Sequence, residues 1–149
     1  MGNRDYMRSE PSPGMPLRFR WSASVTLMLV LVVVYALQCI NEVYLHSPAE
    51  YWLALTSDGM KSGYVWQLLT FQFLHGSLWH LIGNLIGLWF FGQFVEQVLG
   101  PRRFLVAYFG AGIVGGILQG ILMLLFPSHY GLLLFGASAG VAGMFAIFA

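Results

Sequence analysis

The stretch LWHLIGNLIGLWFFGQFVEQVLGPRRFLVAYFGAGIVGGILQGILMLLF, residues 78–126, decides how this chain folds. It holds two apolar runs, Leu78 to Leu99 and Phe104 to Phe126. Each is long enough to cross a hydrocarbon core, which takes about 20 helical residues. Gly100-Pro101 ends the first run, Arg102-Arg103 forms a short basic turn, and Pro127 closes the second. A connection that short leaves two antiparallel membrane helices.

The rest of the composition agrees. Of the 149 residues, 58% are hydrophobic and 9% charged, against about 25% charged in a soluble domain. Eighteen glycines in so apolar a chain suit helices that approach closely in lipid. The formal net charge of +1 and the lack of a basic cluster beyond two arginines outside the N-terminus give no sign of a nucleic-acid partner. Cys39 is the single cysteine, so an internal disulfide is excluded. It reads as a small buried hydrophobe rather than a metal ligand, and no metal or organic cofactor is expected.

Working outward, residues 1–20 carry Pro11, Pro13 and Pro16 with Arg4, Arg8, Arg18 and Arg20, which reads as a disordered basic tail. A first span follows at about 22–40. It is longer than the apolar part of an export signal and lacks a small-x-small cleavage site, so it is retained. Residues 41–77 form an outer loop with Glu42, Glu50, Asp58 and Lys61. Its tyrosines and tryptophans suit the headgroup level, and 64–76 is apolar but too short to cross. The spans at 78–99 and 104–126 come next, and a fourth helix opens near 137.

Positive charge in short loops marks the cytoplasmic side. The basic tail and Arg102-Arg103 share one side, which puts the N-terminus in the cytoplasm and the 41–77 loop outside. The starts of the second and fourth helices then lie near the outer face at similar depth. From Ala137 to Ala149 the fourth helix has thirteen residues, roughly 20 Å at 1.5 Å each. That is too short to span, so the chain reads as an N-terminal fragment of a longer membrane protein.

Three polar residues stand out in these helices. His80 and Asn84 are four apart and share one face; Ser138 lies in Gly136-Ala137-Ser138-Ala139-Gly140. Each has an ordinary reading: His80 and Asn84 as interhelical glue, Ser138 as a small packing residue. Gly136, Gly140 and Gly143, like Gly112, Gly116 and Gly120, then make close-contact faces. A phosphate-binding loop is not supported, because no lysine is adjacent. Together the three residues suggest acyl transfer, which needs a nucleophile and donors aimed at the developing oxyanion. Ser138 supplies the first, and its own N–H with His80 and Asn84 the second. A base is not fixed by spacing: His129 precedes Ser138 by nine residues, and His75 precedes the second helix.

At these residues the chain resembles the rhomboid family of intramembrane serine proteases. Phe73-Leu74-His75-Gly76-Ser77-Leu78-Trp79-His80-Leu81-Ile82-Gly83-Asn84 is similar to the family's outer histidine followed by His-x-x-x-Asn. Glu96 and the arginines after Gly100 resemble its acidic and basic positions at the cytoplasmic end of that helix. Gly136-Ala137-Ser138 resembles the Gly-x-Ser that opens its fourth helix; Ala139 stands where many members have Gly.

The resemblance implies an all-α polytopic membrane protein, here a partial rhomboid-like six-helix bundle truncated within the fourth helix. Residues 21–149 would be its membrane domain, in a bacterial inner membrane. It implies Ser138 as nucleophile, His80 and Asn84 with the Ser138 N–H as the oxyanion site, and a base histidine on a sixth helix. His46, His75, His80 and His129 all precede Ser138, so none matches that base, and the 149 residues alone are expected to be inactive. Expected partners are the lipid bilayer and the transmembrane segments of substrate proteins. One alternative is a non-catalytic rhomboid-like protein that binds transmembrane segments, although such relatives typically lack the serine. A transporter or channel fragment would call for matching broken helices, and no internal repeat is visible.

Overall fold

The computed structural model describes residues 22–126 and 133–149; the tail at 1–20 and His129 lie outside the described residues. Three helices are long and apolar enough to span a bilayer: α1 (Ala23–Leu45), α5 (Leu78–Leu99) and α6 (Pro101–Leu125). Between α1 and α5 come α2 (Ala49–Leu53), β1 (Leu55–Thr56), α3 (Ser57–Lys61) and α4 (Gln67–Thr70), which a 3₁₀ turn at Phe71–Phe73 extends. After α6 come β2 (Leu133–Leu134) and α7 (Ser138–Phe148).

The expected and observed boundaries differ for local reasons at the end of α1 and the start of α6. α1 runs past Ile40 through a π-helical turn at Asn41–Leu45, because polar Asn41 and Glu42 are tolerated where the helix leaves the membrane. It stops at His46, which takes the left-handed conformation with φ 50° and donates its N–H to the Asn41 carbonyl at 2.7 Å; Pro48 follows. α6 begins at Pro101 rather than Phe104. Gly100, at φ 80°, makes the turn alone, and Pro101 is pre-set for the first helical position. Arg102 and Arg103 therefore lie exposed in the first turn of a helix. The ordered part of the fourth helix is Ser138–Phe148.

The core runs along the spans. Leu81, Leu88 and Val95 repeat every seven residues on α5 and pack with Leu27 and Leu31 of α1, Phe104 and Tyr108 of α6, and Met144 of α7. At the end of α5 near the arginines, Glu96 caps the start of α1. Its carboxylate accepts from Ser22 Oγ at 2.6 Å, the Ala23 N–H at 2.7 Å and the Ser24 N–H at 2.9 Å. Those backbone donors have no partner inside α1, so one acid joins two spans.

α6 presents two glycine faces. Gly115 packs on Ala139 of α7 and Ala111 on Gly143, while Gly140 receives the Tyr108 ring. These are the close helix contacts expected of Gly140 and Gly143. The Gly112, Gly116 and Gly120 face has a different partner, the 41–77 loop: Gln72, Phe71 and Met60 sit where a Cβ would stand. That loop is an ordered layer rather than a tether. Buried Gln67 holds it, accepting from the Thr56 N–H at 3.1 Å and donating to the Tyr51 and Trp52 carbonyls at 3.3 Å each. A buried loop must satisfy its backbone in this way.

Candidate active site

The 41–77 loop also fixes the approach to Ser138. β1 pairs antiparallel with β2, Leu55 opposite Leu134 and Thr56 opposite Leu133. Two residues further on, the Gly136 N–H donates to the Phe71 carbonyl at 3.0 Å. The segment entering α7 is thus tied to the loop at both places before the helix starts.

Gly136 has φ 122°, a conformation that side-chain-bearing residues rarely adopt. A Cβ there would collide with the His80 imidazole, at both Cε1 and Nε2. The glycine therefore serves two ends, the turn and the seating of a ring on bare backbone. Ser138 follows as the first residue of α7 and is exposed. Ala137, which precedes it, offers no side-chain cap. Among the described residues the first N–H groups of α7 have no side-chain partner, at the end where a helix carries partial positive charge. Among the described residues no side chain hydrogen-bonds to the Ser138 hydroxyl.

On α5, Ser77 caps the helix by accepting the His80 N–H at 3.2 Å. His80, Asn84 and Gly87 lie on one stripe at i, i+4 and i+7. The top of the stripe touches Gly136, and Gly87 at its foot packs on Val141 of α7. Those two contacts bracket Asn84 near the depth of Ser138. The structure thus brings His80 to the Ser138 turn directly, while the side-chain contact of Asn84 is with His75.

His75 also belongs to this group, but not as a free base. It is buried at 2% exposure, its ring lies edge-on to His80 with centroids 5.3 Å apart, and its Nε2 is 3.0 Å from Asn84 Nδ2. The amide nitrogen carries only hydrogens, so Nε2 accepts. Burial, with His80 beside it, lowers the His75 pKa to about 4, so the ring is neutral near pH 7.

Sequence reading missed Gln38, an amide three residues before Asn41 in α1. Its Oε1 accepts the His75 N–H at 2.9 Å and its Nε2 donates to the His75 carbonyl at 3.4 Å. The available signal was a glutamine in an otherwise apolar span, since polar groups at such depth need partners.

With this geometry established, comparison with known proteins places the chain. A Rhomboid domain model matches residues 62–149. YdcA, a rhomboid-family protein of Bacillus subtilis, is 29% identical over 130 residues, 83% of this chain and 63% of that protein. The Rhomboid protease GlpG of Salmonella typhi is 33% identical over 93 residues, 62% of this chain and 32% of its own length. Inactive RHOMBOID-like protein 8 of Arabidopsis thaliana is 39% identical over 77 residues, covering 52% of this chain and 21% of that protein.

The fold and the matches define an all-α integral membrane protein with several spans. The chain belongs to the rhomboid family, whose members include intramembrane serine proteases and proteins named as inactive. It spans less than two thirds of the length of each of these three relatives.

Proposed function

We propose that this chain is part of a serine endopeptidase that cleaves peptide bonds in or beside the transmembrane segments of membrane proteins, with Ser138 as nucleophile. What supports the reading most is one contact: the His80 imidazole seated on Gly136, two residues ahead of an exposed serine at a helix start. The Ser138 hydroxyl attacks the scissile carbonyl carbon and passes its proton to a base. The tetrahedral oxyanion is held by the Ser138 N–H, His80 and Asn84. Its collapse expels the amine, and water then hydrolyses the acyl-serine ester.

The base is a histidine, as the resemblance to the family implies. Nε2 of His75 is already engaged by Asn84, which argues against His75 in that role. The N-terminus faces the cytoplasm and the membrane is a bacterial inner membrane, which sets the site at the outer face.

The test is cleavage of a reconstituted single-span substrate by the full-length protein carrying this chain. Ser138→Ala should lower turnover by about 10⁴-fold or more. Cleavage that survives the substitution would remove the serine-protease reading. A full-length protein that binds the substrate segment without cutting it would favour a non-catalytic role instead.

A further inference from the structure

Asn84 is an amide inside a helix bundle, and an amide donates usefully to an oxyanion only if its plane is held. An –NH₂ group has two hydrogens. One points along the 3.0 Å line to His75 Nε2, which leaves the other for a second acceptor. His75 is in turn held through its backbone rather than its ring: its N–H donates to Gln38 Oε1 at 2.9 Å and its carbonyl accepts from Gln38 Nε2 at 3.4 Å. Gln38 is on α1, His75 just before α5, and Asn84 within α5. All three are buried, so water does not compete for these bonds.

From this chain of contacts we propose that His75, clamped by Gln38, is a positioning residue that sets the amide plane of the Asn84 oxyanion donor. The role uses the neutral ring as an acceptor. It rests on the protease reading above and adds two residues that never touch substrate. A purely architectural tie between α1 and α5 is the competing explanation. The two differ in one respect: an architectural tie acts whether or not Asn84 is present, and a positioning residue acts only through it.

The experiment is a double-mutant cycle on the full-length protein with a transmembrane substrate. His75→Phe should lower kcat by about 10- to 100-fold, somewhat less than loss of a whole oxyanion donor, while KM changes by less than about threefold. In the Asn84→Ala background the same substitution should change kcat by less than about twofold. His75→Gln restores an acceptor and should recover most of the loss.

If His75→Phe does not fold, Gln38→Met carries the test. It should lower kcat by a few-fold, and again not in the Asn84→Ala background. Losses that multiply in the double variants, or an unchanged kcat in folded His75→Phe, overturn the positioning role. Because Ser138→Ala is run alongside, Ser138-dependent cleavage with multiplying losses removes only this inference. Cleavage independent of Ser138 removes the protease reading itself.

Discussion

Two polar clusters sit at opposite ends of α5, and they are built differently. At the arginine-bearing end, both Glu96 oxygens are engaged by three donors from Ser22, Ala23 and Ser24. At the other end, His80 rests on bare backbone, the Ser138 hydroxyl has no side-chain partner among the described residues, and the first N–H groups of α7 lack a side-chain cap. Polar groups are costly in a membrane unless satisfied. The saturated cluster is therefore what a joint between helices looks like. Among the described residues the open one has donors and a nucleophile left over, which is what chemistry requires.

That contrast can be broken by substituting one residue from each cluster. Asn84→Ala should lower kcat by about 10²–10³-fold while shifting the thermal midpoint in detergent only slightly. An unchanged kcat would move Asn84 from the open class to the saturated one. Glu96→Leu should do the reverse. It leaves the start of α1 uncapped, so stability should fall by about 2 kcal/mol, with kcat per folded molecule unchanged. A larger effect on kcat than on the unfolding midpoint would show that the joint reaches the site.

The smallest effect concerns pH. His75, facing the His80 ring and the neutral amides of Gln38 and Asn84, has its pKa lowered to about 4 in the fold, against about 6.5 when unfolded. The unfolded chain therefore binds the proton first. The contribution of His75 to stability is complete above about pH 6.5 and is lost as pH falls towards 4. Thermal unfolding between pH 7 and 4 should show a decline that His75→Phe flattens; equal slopes would mean that other groups cause it.

The spans were legible in the sequence because hydropathy over about 20 residues is a local property, and Leu78–Leu99 emerged with both ends in place. Ser138, His80 and Asn84 could be grouped because charge placement set which helix ends lie on the same side. The internal contacts of the 41–77 loop were not legible. Its order comes from Gln67 folding back on Tyr51, Trp52 and Thr56, and from Phe71 and Gln72 filling the glycine face of α6. Those contacts join residues far apart in the chain, and no periodicity announces them. The glycines at 112, 116 and 120 signalled close approach correctly but could not say that a loop, rather than a helix, would come close. Gln38 was overlooked for a similar reason. One amide in a valine-rich span gains meaning only once the His75 backbone is seen beside it.

The central claim is that Ser138 is a reactive hydroxyl served by neighbours from another helix. Its most direct test is labelling of the full-length protein in micelles with a fluorophosphonate, followed by peptide mapping in the mass spectrometer. The account predicts a phosphonyl adduct on Ser138 that disappears in Ser138→Ala and forms more slowly in Asn84→Ala. No adduct on the folded protein, or labelling that persists at another residue in Ser138→Ala, would contradict it.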